Sequence, residues 1–448
     1  MGTISEVQIT DILGTLQRFF SEKIGACIEK TKLVERERRL SGKTFIEICF
    51  WSVLTHGLGG KLRNFCQRAS SEYGIANFAE ESFNGRFNDK SVACSEAIFQ
   101  AVLSEQLGNK GLTNCLPLFS HIFVEDSSVV KLSNGLSEQY PGTGGSGNAA
   151  MVKFEVLMDL KESAELEVKL KKGRENDCQE MPEVQANSLY LRDLGYFKLA
   201  YFSEIEAKEA FYVSRIKVST CVYTLSEGEY KEWDLVKYSQ QMRENEEKDC
   251  EVYIGKKEKM KVRLVLKKLP AAVAAERRRK LKSCPRNKRK NPSKQQLAYC
   301  DFSVVITNLS CERFTSTQIY DLYRLRWQIE LLFKAWKSYW KVGDMHKVMK
   351  PQRVLTLMYL LLTTVVLSHK LISMECAYLW NEASVELSRM KAYAILAEHN
   401  DLLIKAITRH ELSDYQHYWT TVAGDLRAFG KKKVKDKIRK TSTLFSFE

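Results

Sequence analysis

The sequence predicts a multidomain α/β protein in which helical terminal regions flank a mixed β-sheet. Before about residue 118, apolar residues recur at helical spacing, as in Ile9, Leu13, Leu16 and Phe20. From His121 the pattern changes to short runs of β-type residues, and beyond about residue 350 it returns to helical spacing. Because 448 residues exceed one ordinary core, we expect two or three domains.

Composition indicates a soluble protein with a polyanionic partner. Hydrophobic residues make up 44% and charged residues 28%, and the formal net charge is +14. Such a charge favours nucleic acid over a membrane surface, although basic ribosomal and chaperone-type proteins share it. The twelve cysteines include no C-x-x-C pair and read as reduced thiols. With no secretion signal, and with an apolar run (Val354–Leu367) too short to span a bilayer, we expect a cytosolic protein with no membrane segment.

The first part of the chain predicts a small helical module. Phe45–Leu58 and Ala97–Leu107 have helical periodicity. Basic residues recur through this part, namely Lys43, Lys61, Arg63, Arg68 and Arg86. A DNA-binding module and a helical bundle without a ligand both fit this pattern.

The central part predicts strands that alternate with helices. The predicted elements are strands at His121–Leu132, Lys153–Leu160, Leu166–Leu170, Ser188–Leu194 and Phe211–Ile216, and a helix at Ser203–Ala210. The glycine-rich Pro141–Gly147 lacks the G-K-[ST] ending of a phosphate loop and predicts a hairpin connection. This order indicates a mixed sheet with helices packed on it.

Residues 217–300 interrupt that pattern. Val218–Leu225 and Tyr253–Lys268 are β-rich, whereas Arg277–Lys294 is intensely basic and predicts a mobile surface arm that contacts the DNA backbone. Phe302–Thr307 then predicts a returning strand, and Thr315–Ser316 a helix cap. A second basic segment, Lys431–Lys440, ends the C-terminal region.

The segment Tyr320–Trp340 predicts one long helix with a charged face. Tyr323, Arg326, Glu330 and Lys337 would project within an arc of about 60°, since each residue advances a helix by roughly 100°. Apolar residues fill a neighbouring arc: Leu322, Leu325, Ile329, Leu332, Phe333, Trp336 and Trp340. The face is either a solvated charged surface or a carboxylate held between cations and a phenol.

A metal-binding role for Glu330 would require further carboxylates. Asp126 lies within an apolar strand, where an acid is costly unless it is paired or metal-bound. Asp193 follows an apolar strand and precedes Gly195, so it lies at a strand end or tight turn. A paired edge-strand acid and a turn former are the alternatives. Spacing alone leaves other acids open as candidates, namely Glu125, Asp159 and Asp177.

These segments together resemble a known family. D-S-S (Asp126–Ser128), R-D-L-G-Y-F (Arg192–Phe197) and F-Y-V-S-R-I-K (Phe211–Lys217) resemble successive blocks of bacterial insertion-sequence DDE transposases. V-I-T-N (Val305–Asn308) followed by Y-x₂-R-x₃-E-x₆-K resembles the Y-R-E-K signature of the insertion-sequence-four group. The resemblance covers roughly residues 120–345.

The resemblance implies an RNase H-like core interrupted by a β-rich insertion. Asp126, Asp193 and Glu330 would be catalytic and would bind two Mg²⁺ ions, for which Mn²⁺ can substitute. Three residues would hold the terminal phosphates of the transferred DNA end, namely Tyr323, Arg326 and Lys337. Arg215 and Lys334 would make further phosphate contacts. Relatives often carry a base-stacking tryptophan on the strand before the signature helix, where this chain has Phe302 and Ser303; Trp233 is an alternative, although a core role fits it better.

The sequence pattern and the resemblance together predict a domain layout and partners; the role of the first region in recognising terminal inverted repeats is inferred from its charge and position alone. The layout is a helical DNA-binding region (1–118), the first part of the core (119–216), the basic insertion (217–300), the second part of the core (301–348) and a helical region with a candidate dimerisation role (349–448). The partners would be double-stranded DNA, as terminal inverted repeats and target DNA, and a second copy in a synaptic homodimer. The site of action would be the bacterial cytoplasm at the nucleoid. The alternatives are a catalytically silent transposase-derived regulator and another RNase H-like nuclease.

Overall fold

The computed structural model describes residues 13–34, 39–104, 118–144, 149–161, 166–176, 181–283, 291–341 and 350–432. Their contacts divide the chain into two compact units. The first unit contains described residues of Met1–Thr113, Ser127–Glu175 and Gln328–Ser442, and the second those of Asn114–Asp126 and Asn176–Trp327.

Ten strands form one mixed sheet, so the predicted α/β class is confirmed. The strands are β1 (Ile122–Lys131), β2 (Met151–Asp159), β3 (Leu166–Lys172), β4 (Leu189–Arg192), β5 (Phe211–Arg215), β6 (Val222–Ser226), β7 (Glu229–Glu232), β8 (Glu247–Ile254), β9 (Met260–Lys268) and β10 (Phe302–Thr307). Their order is β3-β2-β1-β4-β5-β10-β9-β8-β6-β7. β1, β4 and β5 are parallel, whereas β2–β3 and β5–β10 are antiparallel, which agrees with an RNase H-like core. The insertion strands β6–β9 continue the same sheet.

Helices occupy both terminal regions, as the periodicity predicts. A π-helical turn (Phe19–Lys23) precedes the first of them. The helices are α1 (Ile24–Lys30), α2 (Gly42–His56), α3 (Leu62–Tyr73), α4 (Glu80–Arg86), α5 (Asp89–Ser104), α6 (Leu199–Ala207), α7 (Leu235–Gln241), α8 (Ala271–Ser283), α9 (Lys294–Ala298), α10 (Ser316–Arg324), α11 (Trp327–Tyr339), α12 (Pro351–Ala383), α13 (Arg389–Glu398), α14 (Asn400–Arg409) and α15 (Leu412–Phe429). Several predicted bounds differ by a few residues; α6, for example, begins earlier than the predicted Ser203.

The core helix of the first unit is α12. It packs against α5 and α2, and the Thr356 hydroxyl lies 2.9 Å from that of Ser91. Pro351–Trp380 is long and apolar enough to cross a membrane, but 89% of its most apolar window is buried inside the protein. The predicted buried helix at Val354–Leu367 is therefore confirmed and longer than expected, and α12 has the burial of a core helix in a soluble protein.

The prediction of one continuous helix over Tyr320–Trp340 is wrong. The chain forms α10 and α11, separated by a turn at Leu325 and Arg326. The backbone N–H groups of these two residues donate to Leu322 and Tyr323, three residues earlier, so a tight turn replaces the α-helical pattern. The arc calculated for an uninterrupted helix therefore does not apply across this turn. The predicted cap is confirmed, because Thr315 forms a capping box with Gln318.

The predicted mobile arm is partly helical. Residues up to Ser283 belong to α8, and Ser293 caps α9. Residues 284–290 lie outside the described residues, as do Asp177, part of the Pro141–Gly147 connection and all of Lys431–Lys440 beyond residue 432.

Candidate active site

Three parallel strands, β1, β4 and β5, are paired in register just before the residues of interest. Val124 pairs with Leu191, and Leu191 with Val213. Two residues after these paired positions, the chain places Asp126 within β1, Asp193 directly after β4 and Arg215 at the end of β5. The three therefore occupy matching positions at the carboxyl edge of β4 and β5. Such edges are where α/β sheets present their chemistry.

Each aspartate has a partner from the segment that carries the signature. The Tyr323 hydroxyl donates to Asp193 Oδ1 at 3.3 Å, and the Arg326 guanidinium lies 3.7 Å from Asp126 Oδ2. The Arg326 guanidinium also lies over the ring of Tyr323, 5.8 Å from its centroid. Both aspartates are half-buried. The turn between α10 and α11 thus places a phenol and a cation beside the two carboxylates.

Burial and the neighbouring carboxylate determine the state of the Tyr323 phenol. Burial raises its pKa, the negative charge of Asp193 raises it further, and the positive charges of Arg326 and Arg215 only partly oppose this. Tyr323 therefore remains protonated and acts as a hydrogen-bond donor at neutral pH.

Asp193 and Arg215 differ in how the backbone holds them. Asp193 follows β4 and precedes the 3₁₀ turn Leu194–Tyr196, whose Tyr196 N–H donates to the Asp193 carbonyl at 3.0 Å. The predicted strand-end position of Asp193 is thus confirmed. Arg215 is the last residue of β5 and is exposed.

Glu330, Lys334 and Lys337 belong to the first unit. Glu330 lies in the first turn of α11 and is half-buried, whereas both lysines are exposed. Spacings of four and seven residues place the three side chains on one helix face. Desolvation of the ammonium lowers the pKa of Lys337. The convergence of Glu330 with the two aspartates stays a prediction.

The donors at the sheet edge fit a divalent cation. Carboxylate oxygens are the ligands that Mg²⁺ prefers, and Asp126 and Asp193 present them from adjacent strands. The cation of Arg326 beside Asp126 indicates that this edge attracts positive charge. Among the residues that the structure describes, no group of three or more His, Cys, Asp or Glu side chains is arranged to hold a metal ion. The edge thus offers two of the three predicted ligands.

The structure accounts for two of the other acids. Glu125 is buried and forms an ion pair with Arg192 at 2.6 Å, a pair that the sequence pattern alone did not predict. The sequence feature that could have indicated this pair is an acid and a base at matching positions of two apolar strands, β1 and β4. Asp159 accepts a hydrogen bond from the Lys161 N–H at 2.9 Å and thus stabilises a turn.

Of the two aromatic residues that are candidates for base stacking, Phe302 is buried in the core and Trp233 is half-buried. Phe302 is buried and packs against Tyr299, with ring centroids 4.9 Å apart. Trp233 packs edge-on against Tyr238 at 5.0 Å.

Comparison with known proteins shows the family to which this chain belongs. The family model described as "Transposase DDE domain" matches residues 118–367, which is more than half of the chain. The chain belongs to the DDE transposase family. The DDE transposases are enzymes that catalyse DNA cleavage and strand transfer, and they depend in general on divalent metal ions.

Curated relatives extend the similarity over most of the DDE transposase chain. It is 27% identical over 428 residues to the transposase for insertion sequence element IS231F of Bacillus thuringiensis subsp. israelensis, covering 91% of this chain and 89% of the relative. It is 27% identical to the IS231C transposase of Bacillus thuringiensis subsp. berliner, covering 84% and 82%. It is 26% identical to the IS1151 transposase of Clostridium perfringens, covering 80% and 79%. This DDE transposase is therefore of the bacterial insertion-sequence type.

Proposed function

We propose that this enzyme cuts and joins DNA at the ends of its own insertion sequence, with Asp126, Asp193 and Glu330 as the metal-binding carboxylates. The observation that carries the proposal is the register of β1 and β4, which brings Asp126 and Asp193 to one sheet edge beside Tyr323 and Arg326.

Two Mg²⁺ ions, or Mn²⁺ in their place, would occupy this site. When bound, they would supply activation of the attacking water or 3′-hydroxyl and stabilisation of the leaving oxygen in an in-line displacement. The half-buried carboxylates of Asp126 and Asp193 would hold them, together with Glu330 from α11.

The cations and the phenol would bind the transferred DNA end. Arg326 presents a planar fork that suits phosphate oxygens, and the protonated Tyr323 can donate a hydrogen bond. Arg215 is exposed beside them at the end of β5. The exposed ammonium groups of Lys334 and Lys337 would add point charges along α11.

The DNA partners follow from the proposed reaction and the charge. The element's terminal inverted repeats and a target duplex would bind a protein of net charge +14. We assign recognition of the repeats to the helical region 1–118, pairing of the two ends to a homodimer, and the reaction to the nucleoid in the bacterial cytoplasm.

The test incubates purified protein with duplex DNA that carries the element's ends and Mg²⁺. We expect end cleavage to disappear in Asp126→Ala, Asp193→Ala and Glu330→Ala, while end binding persists in a gel-shift assay. Glu312→Ala, which removes an exposed acid before α10, is the control and should cleave normally. Cleavage that survives in any one of the three variants removes that residue from the proposed site. A wild-type protein that binds the ends without cleaving them would favour a regulator instead.

A further inference from the structure

Helix α8 carries a dense positive charge that the proposed active site does not use. Its second half, Glu276–Ser283, reads E-R-R-R-K-L-K-S and contains five basic residues and one acid. The helix lies within the second unit, which also contains Asp126 and Asp193.

Two of these arginines attach α8 to the sheet. Arg277 donates to the backbone carbonyl of Phe302 at 3.3 Å, and Arg278 forms an ion pair with Asp301. Ala274, one turn earlier, is buried. Helix α8 is therefore fixed to the beginning of β10.

Sheet topology relates this attachment to the proposed active site. β10 runs antiparallel to β5, and Val305 pairs with Arg215. Phe302, at the beginning of β10, therefore lies beyond the carboxyl end of β5. That is the edge at which Asp126, Asp193 and Arg215 lie at matching positions, so α8 is attached at the same edge.

The remaining cations of α8 face solvent. The side chains of Arg279 and Lys280 are 76% and 74% exposed, and Lys282 is exposed as well. Arg279 and Lys280 share one acid, Glu276, at 2.7 and 3.3 Å. Exposed pairs of this kind contribute little to stability, so a phosphate can replace the acid at low cost.

Two guanidinium groups, those of Arg277 on α8 and Arg215 on β5, are close enough to repel each other. Burial lowers the pKa of Arg277, and the positive charge of Arg215 lowers it further. An anion bound near these two guanidinium groups would relieve their repulsion.

We propose that Arg279, Lys280 and Lys282, which we call the α8 cation track, bind the phosphate backbone of the duplex next to the reacting phosphodiester. The inference rests on the proposed function, because it takes the adjoining edge as the place where DNA reacts. Phosphate contacts of this kind position a duplex without reading its sequence. A lipid surface fits α8 less well, because Val273 is the large apolar side chain that the helix exposes and membrane-binding helices need an apolar face.

The test measures the salt dependence of DNA binding without divalent metal. Fluorescence anisotropy would give the Kd for a duplex with the element's ends and for an unrelated duplex, over a series of monovalent salt concentrations. In the variant R279Q/K280Q/K282Q we expect the slope of log Kd against log salt to fall by about 2 to 3, since each lost phosphate contact removes about 0.9. Both duplexes should lose affinity by the same factor.

A matched variant controls for net charge. K231Q/K256Q/K257Q removes three exposed lysines from β7 and the β8–β9 turn of the same unit, and it should keep the wild-type slope. Thermal melting of both variants checks that they are folded. An unchanged slope in the track variant, or an equal decrease in both variants, overturns the inference. Because no cleavage is measured, this result is independent of whether Asp126→Ala, Asp193→Ala and Glu330→Ala abolish cleavage.

Discussion

The guanidinium of Arg192 lies 2.6 Å from the carboxylate of Glu125, and both side chains are almost fully buried, at 1% and 5% exposure. The Arg192 guanidinium also lies over the ring of Tyr201, 4.5 Å from its centroid. Because alternate residues of a strand point to opposite faces, this ion pair lies behind the sheet face that carries Asp126 and Asp193. It joins β1 to β4 one residue before both aspartates and thereby stabilises their register.

Breaking this buried pair should destabilise the protein strongly. We expect Glu125→Leu or Arg192→Met to lower the free energy of unfolding by about 3–5 kcal/mol, because each leaves an uncompensated buried charge. The free energy of unfolding of the double variant, measured by urea denaturation, should fall by clearly less than the sum of the decreases in the two single variants. Additive losses would show that the two charges are not coupled. Glu251→Leu, at the exposed pair with Lys261, is the control and should leave stability nearly unchanged.

Tyr323→Phe should slow end processing without unfolding the protein. It removes the hydroxyl that donates to Asp193 and that we propose binds the transferred phosphate. Loss of one charge-assisted hydrogen bond in the transition state, about 1.5 kcal/mol or more, corresponds to at least about tenfold in rate. Single-turnover cleavage assays would measure the effect. Tyr320→Phe is the control on the same helix, because that hydroxyl bonds to the carbonyls of Val265 and Ser303. The control should lower stability and keep the rate; equal rates in both variants would contradict a role for Tyr323.

Acid should weaken the contact between Asp249 and Arg263. Burial raises the pKa of Asp249, but hydrogen bonds from Arg263 and Ser316 outweigh burial and lower the pKa overall. A carboxyl whose pKa is lower in the folded state stabilises the fold above its unfolded pKa of about 3.9 and loses that contribution as pH falls through the folded value. Asp249→Asn should therefore be less stable than wild type at neutral pH, and the difference should shrink towards pH of about 2. The difference is measured by denaturant titration at several pH values. A difference that does not change with pH would refute the linkage.

Shortening a side chain in α12 should create a costly cavity. Leu361 is fully buried, so Leu361→Ala should lower the free energy of unfolding by about 2–5 kcal/mol in chemical denaturation. Leu361→Met keeps most of the volume and should cost less than about 1.5 kcal/mol. Similar losses in both variants would show that packing around α12 does not determine the stability of the first unit.

Much of the fold could be predicted from residue patterns alone. The apolar run that precedes Asp126, the returning strand Phe302–Thr307 and the cap at Thr315 appear where their patterns predict them, because propensity and periodicity are local properties. The signature residues and both aspartate blocks also indicate the family without reference to the fold. The role of each site residue stays a prediction.

Contacts between distant parts of the chain determine features that local sequence patterns do not predict, above all which charged residues are paired. Glu125 and Asp126 are adjacent acids on one strand, and only the pairing of β1 with β4 gives Glu125 a buried arginine. Leu322, Leu325 and Ile329 are all buried although a turn at Leu325 and Arg326 interrupts the helix. The apolar periodicity therefore predicted burial correctly but not an unbroken helix. In the basic segment, residue spacing does not predict that Arg277 and Arg278 contact the sheet while Arg279 faces solvent. That difference depends on where β10 begins. Local sequence patterns thus predicted the family, the core strands β1 to β5 and β10, and the candidate carboxylates, but not β7 or most of β8. The fold decided which charges are paired, since pairing depends on contacts between distant parts of the chain.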